Sequence, residues 1–143
     1  MDICIQTEAF DVGAVLARLP QGAGAVASFI GYVRPEDGLT ALVLEHFPGM
    51  TESEIARHVA TAETRWPLLG VTIIHRVGAL LPGEAIVLVV VAASHRKAAF
   101  SACEFLMDHL KTEAPFWKKE CVGDDARWVE AKDSDDAERA RWD

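Results

Sequence analysis

The chain is expected to take an α+β fold, a mixed and largely antiparallel sheet with helices packed on it. Three observations predict this. Stretches with strand and helix periodicity follow one another in the order β-α-β-β-α-β-β-α-β. Neighbouring strands are joined by short turn signals such as Pro82-Gly83, which suit antiparallel hairpins. Ala85 to Ala93 (AIVLVVVAA) is β-branched and continuously apolar, so it reads as a buried strand that needs covering on both faces.

In order, Asp2 to Thr7 alternates, with Ile3 and Ile5 on one face, and reads as a strand. Asp11 can cap a short helix reaching Leu19, where Pro20 ends it. Gly22 to Arg34 (GAGAVASFIGYVR) contains the GxGxxA form of the dinucleotide fingerprint, and Glu45 sits near the ribose-carboxylate position. The context is wrong for that function: the glycines follow a helix and open a β-rich run, whereas the fingerprint follows a strand and opens a helix. Gly22 and Gly24 are therefore expected to serve a turn and close packing. Leu39 to Phe47 reads as a strand, with Leu42, Leu44 and His46 on one face. Thr51 and Glu54 read as a capping box opening a helix to about Trp66, with Ile55, Val59, Ala62 and Trp66 inward and His58 at the surface. Val71 to Leu80 reads as one strand, pairing antiparallel with Glu84 to Ala93. Ser94 is the expected N-cap of a helix on which Ala99, Cys103, Leu106 and Leu110 recur at helical spacing, and Pro115 stops it. Ala114 to Trp117 reads as an apolar packing loop, and Arg127 to Ala131 as a short strand. Residues 132–143 form a charged, solvated tail with Trp142 as its candidate anchor.

Residues 1–143 suit one domain, with no repeat, low-complexity stretch or linker. Half the residues are apolar and a quarter charged, as in an ordinary soluble globule. No apolar run is long enough to span a bilayer, and the first ten residues have no signal-type pattern, so a cytoplasmic location is expected. A net charge of −8 argues against nucleic acid as a partner. Cys4, Cys103 and Cys121 are widely spaced and expected to be reduced thiols. Cys103 reads as core, whereas Cys121, after the lysines, is an exposed candidate nucleophile. The five histidines lie on different elements without ligand spacing, so no metal and no resident cofactor is expected.

The chemistry concentrates between Ser94 and Glu120 (SHRKAAFSACEFLMDHLKTEAPFWKKE). His95 and Arg96 fall in a first helical turn, where cations oppose the helix dipole, so a bound anion explains them better than helix stability. Lys111 lies in the last turn, and Lys118 and Lys119 follow the proline. With Arg34 these residues form a basic set at strand and helix ends, which suits an anion-binding and possible catalytic site. An unbroken helix would separate His95 from Lys111 by roughly 24 Å at 1.5 Å per residue. One small ligand cannot touch both in one chain, so a dimer with shared sites is expected.

At these residues the chain resembles the catalytic (large) subunit family of molybdopterin synthase. The matching segments are Gly24 to Arg34, Leu44 to Glu52 (LEHFPGMTE), His75 to Glu84 (HRVGALLPGE), Ser94 to Glu120 and Arg127 to Ala131 (RWVEA), in family order. Phe47 stands where the family often has tyrosine, and the loop after Arg34 is short. The resemblance implies a sulfurtransferase that converts cyclic pyranopterin monophosphate to molybdopterin by building its dithiolene. It implies a small ubiquitin-like carrier subunit, whose C-terminal glycine thiocarboxylate brings the sulfur, and a homodimer within a heterotetramer. It implies Lys111 and Lys118 as catalytic residues, with Lys119 and Glu120 beside them. Arg34, His95 and Arg96 would hold the phosphate end, lined by Tyr32 and Val33. The competing expectation is a non-catalytic dimer that docks a ubiquitin-like tail or binds a phosphorylated metabolite.

Overall fold

The computed structural model describes residues 1–129 and 133–143. Its elements are β1 (Asp2–Gln6), α1 (Val12–Ala17), β2 (Ala25–Tyr32), β3 (Ala41–His46), α2 (Met50–Arg65), β4 (Leu68–Arg76), β5 (Gly78–Leu80), β6 (Ala85–Ala93), α3 (Arg96–Thr112), β7 (Phe116–Val122), β8 (Asp125–Val129) and α4 (Asp133–Ala140). The architecture is α+β, and the strands divide into two sheets. The first has the order β1-β4-β6-β2, and the second β5-β3-β7-β8. Among the described residues only the β1–β4 pairing is parallel.

The apolar pattern of β6 follows from its place inside the first sheet. Val87, Val89 and Val91 pack with Ile55 and Val59 of α2 and with Ala102, Phe105 and Leu106 of α3. Leu88 and Val90 point the other way, into a smaller cluster with Val15 of α1. Both faces are covered, so the strand has no polar alternation to show. The second sheet closes over Val33, Leu42, Leu44 and Leu80. No helix among the described residues is long and apolar enough to cross a membrane.

Several local expectations are corrected. Val71 to Leu80 is not one strand: the chain turns at Gly78, whose φ is +89°, so β4 pairs in the first sheet and β5 in the second. The apolar loop expected at Ala114 to Trp117 is the start of β7, which pairs with β3 and β8. Ser94 does not cap α3; the N-cap is His95, with no side-chain capping bond. Thr51 does not open a capping box with Glu54, because α2 begins earlier, and the Glu52 carboxylate accepts from the Gly49 N–H instead. Thr51 is buried, and its hydroxyl accepts from Phe47 N–H and donates to the Pro115 carbonyl. It thus ties the start of α2 to the start of β7. His58 is buried at 4% exposure, not at the surface.

Asp11 does cap α1, accepting from Ala14 N–H at 3.1 Å. The charged tail is helical from Asp133, and Trp142 anchors it. Its ring packs edge-on against Trp66 and Phe105, and its N–H donates to Asp108 Oδ2 at 2.6 Å. Glu130 and Ala131, expected in the last strand, and Lys132 of the tail lie outside the described residues.

Candidate active site

A cavity of about 260 Å³ opens where the C-terminal end of α3 meets both sheets. Three segments bring most of its charged side chains, and α4 adds Asp135. The first follows β2. A register shift at Gly31 and Tyr32 ends regular pairing with β6, and reciprocal backbone bonds then hold Val33 to the Gly83-Glu84 turn at 2.8 Å. Tyr32, Val33 and Arg34 line the cavity from there. The second is the last turn of α3, with Met107, Leu110 and Lys111. Lys111 is favourably placed at a helix C-terminus, where backbone carbonyls carry partial negative charge.

The third segment is β7, and strand alternation sorts its side chains. Lys118 stands opposite Leu44, and Glu120 opposite Leu42. Directly opposed residues share a sheet face, so Lys118 and Glu120 join the face that closes over the cavity, and both line it. Lys119 and Cys121 fall on the other face. Lys119 sits 5.0 Å from the Trp128 ring centroid as a cation–π pair, and neither residue lines the cavity.

Of the residues singled out in the sequence, Tyr32, Val33, Arg34, Lys111, Lys118 and Glu120 converge here, whereas His95, Arg96 and Lys119 do not. His95 and Arg96 lie exposed at the far end of α3, which runs unbroken over 17 residues. The cavity is not purely basic. Glu36, Glu120 and Asp135 line it with the three cations, and Arg127 Nη2 reaches Glu120 Oε2 at 3.1 Å.

One residue that sequence reasoning passed over sits among them. His75 lines the cavity and stacks on Phe116, with ring centroids 3.9 Å apart and planes 18° from parallel. Its Nδ1 lies 2.8 Å from the Arg76 carbonyl; a carbonyl only accepts, so Nδ1 carries the proton and Nε2 keeps a lone pair. Burial pushes the His75 pKa down from 6.5 to about 4, and Lys118, Lys111 and His46 act in the same direction against the carbonyl bond. The imidazole is therefore neutral near pH 7, a hydrogen-bonding group that adds no charge. Its signal was present in the sequence: alternation in VTIIHR puts His75 on the face of Ile73, at the end of an otherwise apolar row.

The cysteines offer no nucleophile at this place. All three are free. Cys103 is buried, and burial pushes its thiol up to about 11. What remains is a half-apolar cavity with two lysines, an arginine, a neutral histidine and carboxylates, which suits an anionic, polar reactant and proton transfer.

Comparison with known proteins agrees with the resemblance. Residues 5–113 match the family model described as MoaE protein. A Mesorhizobium japonicum protein named molybdopterin synthase catalytic subunit is 56% identical, over 96% of this chain and 91% of its own length. The solved structure of a molybdopterin biosynthesis MoaE protein from Burkholderia ambifaria superposes with a TM-score of 0.86 at 53% identity, covering 99% of this chain and 97% of that one. A chain of the complex of subunits 1 and 2 of molybdopterin-converting factor from Helicobacter pylori shares the fold, with a TM-score of 0.77 at 22% identity over 91% of each chain. The chain therefore belongs to the MoaE protein family, the family of the molybdopterin synthase catalytic subunits.

Proposed function

We propose that this chain transfers sulfur from the C-terminal thiocarboxylate of a small ubiquitin-like carrier subunit to cyclic pyranopterin monophosphate, forming the dithiolene of molybdopterin. The observation that carries the reading is the convergence of Lys111, Lys118 and Arg34 on one cavity. Thiocarboxylate, phosphate and developing thiolates are all anionic, and fixed cations in a partly dry site stabilise them without reorganising. In each transfer the thiocarboxylate sulfur forms a bond to a pterin side-chain carbon as a carbon–oxygen bond at that carbon breaks; at one carbon the oxygen leaves with the ring-opened phosphate monoester, at the other it leaves as water after protonation. Water then cleaves the acyl–sulfur bond, leaving a carboxylate on the carrier and a thiolate on the pterin. The sulfur comes from the carrier, so no cysteine of this chain is consumed.

Lys111 takes the carrier terminus and the proton transfers around the acyl group. Lys118 acts beside it at the pterin, with Glu120 near; Lys119 supports the strand from its other face. Arg34, His95 and Arg96 hold the phosphate end, lined by Tyr32 and Val33, with His95 and Arg96 supplied by a second copy of the chain. Two observations support the shared site. The cavity is smaller than the roughly 300–1,000 Å³ usual for small-molecule sites, so one chain alone has little room for pterin and carrier tail together. The edge strand β2 leaves Val26, Phe29 and Tyr32 exposed, and Phe100 of α3 is 65% exposed; an open strand edge with apolar side chains suits pairing. The carrier is a second polypeptide on the dimer, as a heterotetramer, and the Helicobacter pylori fold neighbour is itself part of a two-subunit complex. The setting is the cytoplasm, where three unpaired thiols stay reduced.

The test is a single-turnover reaction of the purified chain, a thiocarboxylated carrier and the cyclic pterin phosphate, with the dithiolene product read by mass. Wild type should form product, and Lys111→Ala should lose at least roughly a hundredfold in rate, as when one electrostatic group of an active site is removed. Carrier binding without product from the wild type would replace this reading with the docking-partner one.

A further inference from the structure

Away from the cavity, α2, α3 and the tail helix gather a second set of side chains. His58 of α2 and His109 and Glu113 at the end of α3 each offer one ligand-type atom, and these atoms lie within 4.8 Å of one another. His109 and Glu113 are one helical turn apart, so they share a face. Both imidazoles are buried, at 4% and 7% exposure, and tilt against each other with centroids 4.5 Å apart. The Glu113 side chain is 32% exposed, which leaves a route in from solvent.

Neighbouring groups fix how His109 and Glu113 present their remaining ligand atoms. His109 Nδ1 lies 2.9 Å from the Phe105 carbonyl, so it carries the proton and leaves Nε2 as a donor to an ion. Arg139 Nη1 holds Glu113 Oε1 at 3.0 Å, which orients Oε2 toward His58 Nε2 at 3.4 Å. That His58 nitrogen is buried and makes no hydrogen bond. A buried polar atom without a partner costs about 1–3 kcal/mol.

We propose that His58, His109 and Glu113 bind one divalent cation of the zinc class through the two Nε2 atoms and Glu113 Oε2, with water as the fourth ligand. Two imidazoles and a carboxylate select zinc-like ions over magnesium or calcium, which prefer all-oxygen shells. Bonds of 2.0–2.1 Å in a tetrahedron set ligand atoms about 3.4 Å apart, the separation His58 Nε2 and Glu113 Oε2 already have. The Phe105 carbonyl and Arg139 are the outer partners that fix ring tautomer and carboxylate orientation. Arg57, 4.0 Å from Glu113 Oε2, and Arg139 are cations near the ion and weaken its binding without blocking the donors. None of the three ligands lines the catalytic cavity. The ion would tie α2 to α3, and through Glu113 and Arg139 to α4, so its role is structural.

The experiment uses the full chain without an affinity tag, stripped with chelator and titrated with cobalt(II) and then zinc. One cobalt per chain is expected, with visible bands of tetrahedral intensity and no thiolate charge-transfer band; zinc should displace it and raise Tm. Glu113→Gln and His58→Gln should each weaken binding at least roughly tenfold and abolish the zinc-induced rise. Glu113→Gln alters a partly exposed side chain, so it decides the matter if His58→Gln does not fold. No bound ion on the stripped wild type, a thiolate band, or undiminished binding in Glu113→Gln would each overturn the proposal.

Discussion

At the scale of single residues, His75 gives the most direct readout of the cavity. Its folded pKa of about 4 lies below the ordinary 6.5, so between those values the unfolded chain binds the extra proton and the folded one does not. Stability then rises with pH across that window and is lost as pH falls through it, by at most on the order of 3 kcal/mol for this group. The urea midpoint of the wild type should drop between about pH 7 and about pH 4.5, and the drop should be smaller in His75→Gln, which cannot titrate. Equal drops would mean that His75 is charged in the folded state. The residue scale also marks what the sequence could not separate. Lys118 and Lys119 are adjacent and equally basic, and with Phe116 and Trp117 read as a loop nothing distinguishes them. Once the segment is a strand, its period of two sends Lys118 into the cavity and Lys119 to Trp128.

At the scale of elements, the entry to α3 depends on a close approach that only glycine allows. A Cβ on Gly24 would stand 2.0 Å from the Ser94 carbonyl oxygen, a backbone atom with no rotamer to change. Gly22, two residues earlier, has a φ of +91° but open space around it. Gly24→Ala should cost about 1–3 kcal/mol by overpacking and lower amide-exchange protection in the first turn of α3, near His95 and Arg96. Gly22→Ala should cost about 1–2 kcal/mol through backbone strain and leave that protection unchanged. Urea denaturation with hydrogen exchange separates the two. The expectation of turn and close packing at these glycines was legible because their flanks contradicted a nucleotide fold. Other element features were local in sequence but decided at a distance. The split of β4 from β5 rests on a single glycine whose significance depends on a second sheet. The start of β7 is set by its partner β3 and by Thr51, 64 residues earlier than Pro115. His109 and Glu113 did carry helical ligand spacing; it went unread because their third partner, His58, reads as a surface residue until α2 and α3 are packed together.

At the scale of the whole molecule, the helix between His95 and Lys111 turns a question of chemistry into one of assembly. α3 is continuous, so its basic N-terminus and its cavity end cannot serve one small ligand within a chain. The shared-site reading makes a prediction that neither end makes alone. Lys111→Ala and Arg96→Ala should each be nearly inactive as separate dimers. If the two variants are mixed and allowed to exchange subunits, each mixed dimer carries one site with both substitutions and one with neither. A two-fold dimer mixed at random should therefore recover about a quarter of wild-type turnover. Recovery should follow subunit exchange in time and vanish if the variants are cross-linked as homodimers first. If each chain holds a complete site, every site in the mixture keeps one lesion and no activity returns. The double variant mixed with wild type is the control for exchange itself. There the lesions travel together, so a shared site leaves each mixed dimer with two singly damaged sites, and activity should fall below the unexchanged mixture by about half, since about half of the dimers are mixed. Gain in one mixture and loss in the other would together require that Lys111 and Arg96 act on one substrate from opposite subunits.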